Sequence, residues 1–257
     1  MWDPSPQDLK LQSNEVHVWQ ATLNLEPAQV DSLMRVLLPD EQVRASRFYF
    51  QKNREHFIVA RGSLRVILGR YLNTEPEQLQ FRYNSYGKPA LIGQSGSNGV
   101  RFNLSHSRGL ALYAIARGRE IGVDLEYIRS DFADGQIADR FFSLREAKAL
   151  GAIPTDSRIA AFFNCWTRKE AYIKARGKGL TLPLDQFEVS LVPGEPATLL
   201  RVSGNPDETS RWSLRELLPA SGYVAALAVE GHDWQLKCWQ WQGDPRSRNL
   251  PMNQPGT

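Results

Sequence analysis

Residues 109–126 read Gly-Leu-Ala-Leu-Tyr-Ala-Ile-Ala-Arg-Gly-Arg-Glu-Ile-Gly-Val-Asp-Leu-Glu, and this stretch is central to the fold. Residues 110–116 and 121–126 are rich in β-forming side chains and flank a turn that contains Gly118. Residues 100–104, which precede them, have the same character. The three segments together predict an antiparallel meander.

The same pattern of strand, glycine turn and strand recurs near the C-terminus. Residues 222–239 repeat the glycine spacing of residues 109–126, and an amphipathic helix is predicted before each, over residues 53–71 and 159–176. The repetition predicts an α+β fold, a pseudo-dimer of two similar halves with the active site at their interface. The predicted division is 1–119, 120–242 and a mobile tail at 243–257. The alternative is a chance similarity between two hairpins.

The composition is that of a globular, mildly basic protein. The 257 residues are 42% hydrophobic and carry a formal net charge of +3. This charge is too small for a protein that coats a polyanion, and the two cysteines fit a reducing compartment better than a disulfide framework. No apolar stretch is long enough to span a bilayer, and the first residues lack a secretory signal. We therefore expect a cytoplasmic protein that binds neither nucleic acid nor membrane.

Three carboxylates are candidate metal ligands. The period of two in a strand places Asp124 and Glu126 on one face, roughly 7 Å apart, and Gly122 on that face would leave space for a bulky group. Glu170 falls on the apolar stripe of the second predicted helix, where an ionised carboxylate requires a cation. Oxygen ligands favour Mg²⁺ or Mn²⁺ over Zn²⁺. The alternatives are a solvated strand face and an ion pair between Glu170 and Lys174.

Basic and polar groups elsewhere in the sequence suit a phosphorylated ligand. Arg61 and Arg65 lie at the edge of the apolar stripe of the first predicted helix, where their guanidinium groups would be half sheltered. A polar turn at residues 103–107 offers hydroxyl groups, backbone N–H groups and His106 to a phosphate. A tight turn presents Lys88. Each basic residue taken alone also fits an ordinary surface charge.

Five short segments occur in a characteristic order between residues 38 and 187. They are Tyr86-Gly87-Lys88-Pro89, Phe102-Asn103-Leu104-Ser105-His106-Ser107, Gly122-Val123-Asp124-Leu125-Glu126, Arg140-Phe141-Phe142-Ser143, and Trp166-Thr167-Arg168-Lys169-Glu170-Ala171-Tyr172-Ile173-Lys174 with Gly177-Lys178-Gly179-Leu180. In this order they resemble the larger, broad-specificity class of 4'-phosphopantetheinyl transferases, the surfactin-synthetase-activating type. The resemblance implies that family's pseudo-dimeric α+β fold, with coenzyme A bound between the halves.

The resemblance also implies the reaction. The 4'-phosphopantetheine moiety of coenzyme A, the co-substrate, would pass to a serine of an apo acyl or peptidyl carrier protein, with release of adenosine 3',5'-bisphosphate. Asp124, Glu126 and Glu170 would bind Mg²⁺, which Mn²⁺ can replace, and Lys174 would contact phosphate in the same cluster. Glu170 would also take the proton of the serine. The competing interpretation is a protein that binds coenzyme A or another nucleotide without reaction.

Further residues match the family's coenzyme A contacts. They are Arg44, Arg61, Lys88, Ser105, His106 and Lys174. Ser105 and His106 would hold the 3'-phosphate, and Lys88 would lie near the nucleotide. Three positions before Arg44 the family has a basic residue, whereas this chain has Glu41.

The resemblance finally suggests where a carrier protein docks. Phe132, Phe141, Phe142 and the helix that carries Glu146 are the candidates, with basic groups outside them that face an acidic carrier. The alternative places these phenylalanines in the core. A monomer is expected from the family.

Overall fold

The first half of the chain combines three helices with strands on either side in sequence. The structure, a computed structural model, describes residues 2–96, 98–129 and 134–243. The elements of the first half are β1 Asp3–Pro4, β2 Glu15–Thr22, α1 Pro27–Arg35, α2 Pro39–Ser46, α3 Gln51–Leu72, β3 Phe81–Tyr83, β4 Pro89–Leu91, β5 Val100–Ser107 and β6 Leu110–Arg117. In the described residues, no helix is both long and apolar enough to cross a membrane.

The second half repeats this series. Its elements are β7 Ile121–Tyr127, α4 Asp134–Phe141, α5 Leu144–Ala152, α6 Thr155–Arg176, β8 Phe187–Val189, β9 Leu199–Val202, α7 Glu208–Arg211, β10 Trp212–Leu217 and β11 Tyr223–Glu230, followed by β12 Gln235–Gln240. From β2 and again from β7 the order is a strand, two short helices, a helix of 22 residues, a two-stranded sheet and a hairpin, with α7 as an addition. This repetition confirms the two similar α+β halves.

Each half contributes one main sheet, and the equivalent strands pair alike. Strand β2 pairs with β6, which pairs with β5, just as β7 pairs with β11, which pairs with β10. The predicted meander is therefore wrong at its last strand, because β7 leaves the sheet of β5 and β6. Strand β12 pairs parallel with β2 in the sheet of the first half, although the predicted division assigned it to the second.

The two main sheets pack face to face, and a long helix covers the outer face of each. The layer between the sheets joins Val18 and Leu112 of the first half to Val123 and Leu227 of the second. Successive apolar side chains of the central strands point to opposite faces of each sheet. Those on one face belong to this inner layer, and those on the other face belong to a core covered by a helix. The interface between the halves is thus an apolar core in its own right.

Strands β5 and β7 of the two halves lie side by side and are joined through side chains of β5. Backbone N–H groups on the free edge of β7 donate to three of them, which we call the side-chain ladder. The bonds run from Val123 N to Asn103 Oδ1 (2.9 Å), from Leu125 N to Ser105 Oγ (3.3 Å) and from Tyr127 N to Ser107 Oγ (3.2 Å). The ladder satisfies donors that would otherwise be left unpaired at a sheet edge.

Gly122 brings β7 against the backbone of α6. A Cβ atom at this position would lie 2.1 Å from the carbonyl oxygen of Ala171 and 2.3 Å from the backbone nitrogen of Ala175. The expectation that Gly122 leaves space for a bulky group is therefore wrong, because the helix fills that space. The contact sets the acids of β7 beside those of α6.

Gly122→Ala is expected to lower the free energy of unfolding by about 3 kcal/mol, because strand and helix must separate to admit the methyl group. Urea unfolding measures the change. Gly151→Ala is the control, since its Cβ would meet nothing within 4 Å in α5; it should raise stability by about 0.5 kcal/mol through helix propensity. Similar stability for the two variants would contradict the close contact.

Candidate active site

A cleft between the halves collects most of the predicted site residues. A hollow of about 590 Å³ is bounded by β5, β7 and α6, and its polar lining residues are Ser105, His106, Asp124, Glu126, Glu170 and Lys174. A neighbouring hollow shares Leu104 and His106 with it and extends to Arg44 and Arg61 of the first half. The cleft therefore has an acidic part and a basic part.

Asp124 is the most buried of the three predicted metal ligands, with 4% of its surface exposed. Its Oδ1 accepts hydrogen bonds from Ser105 Oγ at 3.0 Å and from Lys174 Nζ at 2.6 Å. Its Oδ2 is buried and has no hydrogen-bond partner among the described residues. A buried carboxylate oxygen without a partner is costly, so this atom is available to a bound cation.

Glu126 and Glu170 are partly buried beside Asp124. Glu126 accepts a hydrogen bond from Ser107 Oγ at 3.1 Å. Burial raises the pKa of both glutamates, and the charge of Asp124 raises it further. Lys174 opposes the shift at both positions. Lys174 and, at Glu126, Arg129 supply fewer positive charges than the three acids supply negative ones.

Lys174 pairs with an acid other than Glu170, which was its partner in the alternative to metal binding. Its ammonium group reaches from α6 to bond Asp124 of β7 and also donates to Ser105 Oγ at 3.0 Å. Glu170 faces the cleft rather than the core. In residues 2–96, 98–129 and 134–243, no three or more His, Cys, Asp or Glu side chains are arranged to hold a metal ion. Metal ligation by the three acids stays a prediction.

Ser105 and His106 both line the acidic part of the cleft but have different surroundings. They point to opposite faces of β5: Ser105 is buried in the ladder, and His106 is exposed at the junction of the acidic and basic parts of the cleft. The Ser105 hydroxyl is committed to Asp124, Lys174 and Leu125 N. The cleft walls partly desolvate His106, and this, with the charge of Lys174, lowers its pKa. The Ser105 side chain is therefore held by protein groups, and contact of Ser105 and His106 with the 3'-phosphate stays a prediction.

Lys88 is a clamp between the halves. Its ammonium group donates to Glu120 Oε2 (3.0 Å), Ile121 O (3.3 Å) and Ala175 O (2.9 Å), which uses all three of its N–H donors. Burial lowers its pKa, and Glu120 offsets part of the shift. The ammonium group is thus engaged by the second half, and the position of Lys88 near the nucleotide stays a prediction.

Two of the arginines of α3 are held by Glu41. Arg61 and Arg65 both donate through Nε to this buried carboxylate. Arg65 is fully buried and also bonds two backbone carbonyl groups, so it is not available to phosphate. Arg61 lines the basic part of the cleft but is 8% exposed and engaged with Glu41 and Tyr83. Arg44 is exposed at the mouth of this part of the cleft.

The predicted carrier surface is only partly exposed. Phe142 is 4% exposed and belongs to the core, as the alternative stated. Glu146 is 3% exposed and pairs with Lys169 at 2.7 Å, so it serves packing rather than docking. Phe141 lines the acidic part of the cleft. Phe132 lies outside the described residues.

Comparison with known proteins decides the family. The model of the 4'-phosphopantetheinyl transferase superfamily matches residues 120–228, and that of the 4'-phosphopantetheinyl transferase, N-terminal, matches residues 18–117. The 4'-phosphopantetheinyl transferase HetI of Nostoc sp. (strain PCC 7120) is 44% identical over 240 residues, which cover 93% of this chain and 98% of HetI. The chain belongs to the 4'-phosphopantetheinyl transferase superfamily.

Two further relatives extend this result. The 4'-phosphopantetheinyl transferase Sfp of Bacillus subtilis (strain 168) is 30% identical over 167 residues, 65% of this chain and 72% of Sfp. The L-aminoadipate-semialdehyde dehydrogenase-phosphopantetheinyl transferase of Xenopus laevis is 27% identical over 219 residues, 79% of this chain and 72% of that protein. The family resemblance inferred from the five segments is confirmed.

Sequence reasoning about this transferase missed the ladder and the role of Glu41. Asn103, Ser105 and Ser107 alternate along one strand, and this period of two was a readable signal that they share a face. The pairing of Glu41 with two arginines had no comparable signal, because the partners lie 20 and 24 residues away.

Glu41→Gln in this transferase is expected to lower the free energy of unfolding at pH 7 by about 3 kcal/mol, because it leaves buried Arg65 without a charged partner. Burial disfavours the Glu41 carboxylate, but the hydrogen bonds and charges of Arg65 and Arg61 outweigh this and lower its pKa. The stabilisation is therefore present above the unfolded pKa of about 4.3 and lost as the pH falls through the folded value.

Urea unfolding at several pH values measures this difference. Asp8→Asn is the control, because the Asp8–Lys10 pair is exposed, and it should cost less than about 1 kcal/mol. A Glu41→Gln effect as small as that of the control, or one that grows on acidification, would contradict the buried network.

Proposed function

We propose that this transferase moves the 4'-phosphopantetheine moiety of coenzyme A to a serine of an apo acyl or peptidyl carrier protein and releases adenosine 3',5'-bisphosphate. The observation that carries the proposal is the cleft between the halves, with Arg44 and His106 in one part and the acids with Lys174 in the other. Coenzyme A has a 3'-phosphate and a pyrophosphate, and these two anionic groups suit the two parts.

The acidic part suits a divalent cation. Its donors are carboxylate oxygens, one of them the buried and unpaired Asp124 Oδ2, and crowding raises the pKa of Glu126 and Glu170. Hard oxygen donors of this kind bind Mg²⁺ and Mn²⁺. Asp124, Glu126 and Glu170 would hold the ion, which when bound would neutralise charge on the pyrophosphate.

Side chains of the protein bind and orient the substrates and accept the proton of the serine. Lys174 offers a cation to the pyrophosphate as charge develops there. The carrier serine loses its hydroxyl proton to Glu170 while its oxygen attacks the β-phosphorus, and the bond to the α-phosphate oxygen breaks. Glu170 would accept this proton directly or through a water. Basic groups around Arg44 anchor the leaving nucleotide, so that reaction geometry is set before the serine arrives.

Binding of coenzyme A without reaction is the weaker alternative. It would use the basic part of the cleft but would gain nothing from three acids beside a pyrophosphate. The relatives HetI, Sfp and the Xenopus laevis protein all carry the name of a transferase.

The carrier protein would bind at the acidic mouth of the cleft. Phe141 lines this mouth, and Leu144, at the start of α5, is 91% exposed. Arg140 and Arg145 lie beside them and are exposed, which suits an acidic carrier. A monomeric state and a cytoplasmic location stay predictions.

Incubation with coenzyme A, Mg²⁺ and an apo carrier protein is expected to add one phosphopantetheine group to the carrier, measured by mass spectrometry. EDTA should abolish the transfer if the acids hold a required metal. Failure to modify any of several acyl and peptidyl carriers would overturn the proposed reaction. Transfer that continues unchanged in EDTA would overturn the metal requirement alone.

Glu170→Gln is expected to lower kcat by about 10²- to 10⁴-fold, because the amide cannot accept the serine proton. Glu195→Gln, at an exposed position away from the cleft, should leave kcat unchanged. Mn²⁺ binding is measured on the same samples. Normal turnover with normal Mn²⁺ binding would show that Glu170 is not the base.

Mn²⁺ affinity is expected to fall as the pH is lowered, from a pH above the ordinary glutamate pKa of about 4.3. Burial and Asp124 raise the pKa of Glu126 and Glu170, so protons compete with the metal at a higher pH than for isolated carboxylates. Titration calorimetry from pH 8 to pH 5 measures the dependence. An affinity that stays constant over this range would contradict ligation by these two groups.

A further inference from the structure

The ladder does more than join the two halves. At two of its three rungs the same hydroxyl group that accepts a backbone N–H also bonds the carboxylate one residue earlier on β7. Ser105 Oγ accepts from Leu125 N and bonds Asp124 Oδ1, and Ser107 Oγ accepts from Tyr127 N and bonds Glu126 Oε2. The repetition follows the period of two of both strands.

The contacts determine the direction of these hydrogen bonds. A serine hydroxyl has one proton to donate. At Ser105 the oxygen faces two donors, Leu125 N and Lys174 Nζ, so its own proton can go only to Asp124 Oδ1. At Ser107 the oxygen accepts from Tyr127 N, and the hydroxyl proton goes to Glu126 Oε2 because an ionised carboxylate can only accept. Each serine therefore holds one carboxylate oxygen as an acceptor.

We infer that Ser105 and Ser107 are positioning residues that orient the carboxylates of Asp124 and Glu126 for a divalent cation. At Asp124 the serine and Lys174 occupy Oδ1 and leave Oδ2 without a protein partner. This inference rests on the proposed metal site. It assigns the serine hydroxyl groups to the acids of the second half, not to the nucleotide.

Asn103 forms the third bond of the ladder, and it joins the two halves without orienting an acid. Asn103 Oδ1 accepts from Val123 N at 2.9 Å, but the preceding residue on β7 is Gly122, which has no carboxylate. Asn103 therefore shares the role of joining the strands and lacks the role of orienting an acid. It is a control within the ladder itself.

The test is Mn²⁺ binding to the full chain, measured from the electron paramagnetic resonance signal of free Mn²⁺. The measurement requires neither coenzyme A nor turnover. Ser105→Ala is expected to weaken binding about 10- to 100-fold, the usual effect of removing a group that orients a metal ligand. Asn103→Ala should lower the thermal midpoint of unfolding measured in EDTA. Its Mn²⁺ affinity should stay within about threefold of wild type, a smaller loss than the one expected for Ser105→Ala. Ser213→Ala, on β10 and bonded to the carbonyl of Gly231, controls for loss of a strand serine and should leave affinity unchanged.

Ser107, which is partly exposed, provides a second test if Ser105→Ala does not fold. Ser107→Ala should weaken Mn²⁺ binding about tenfold, and Ser107→Thr, which retains the hydroxyl group, should restore it. The inference would be overturned if Ser105→Ala and Ser107→Ala both bound Mn²⁺ with wild-type affinity. It would also be overturned if Asn103→Ala lost as much Mn²⁺ affinity as the serine variants. Wild-type protein that binds no Mn²⁺ would instead overturn the proposed metal site on which the inference depends.

Discussion

Strand β7 is held from three sides, and the position of every acid in the cleft depends on this. One edge pairs with β11, the other edge donates its N–H groups to side chains of β5, and one face touches the backbone of α6 at Gly122. A shift of one residue would turn Asp124 and Glu126 into the apolar layer between the sheets. The interface between the halves and the acidic part of the cleft are therefore one structure.

The distribution of charge along the cleft follows from which groups the fold already uses. Lys88, Arg65 and largely Arg61 are occupied by protein partners. Arg44 and His106 stay accessible in the basic part, and Lys174 is the cation that faces the acids. Burial and the neighbouring charge of Asp124 raise the pKa of the two glutamates in the acidic part, and the excess of carboxylate there favours a bound cation.

Sequence patterns predicted the parts of the structure that depend on local periodicity. The two long helices, the strand that carries Asp124 and Glu126, and the repetition of halves all follow from such patterns. The path of β7 did not, because hairpin rules favour pairing with the neighbouring strand, and here the second half supplies the partner. The protein contacts of Gly122, Lys88 and Ser105 were not predicted for a related reason: they come from segments 19 to 87 residues away. Glu41 departs from the family pattern, and its purpose became visible only in its pairing with two buried arginines.

The central claim is that the fold brings Asp124, Glu126 and Glu170 together around a divalent cation at the interface of the halves. Anomalous diffraction from crystals grown with Mn²⁺ and coenzyme A tests it most directly. The account predicts one strong manganese peak within bonding distance of oxygens of all three carboxylates and of the pyrophosphate. A peak at another position, or no peak between β7 and α6 with coenzyme A bound in the cleft, would contradict it.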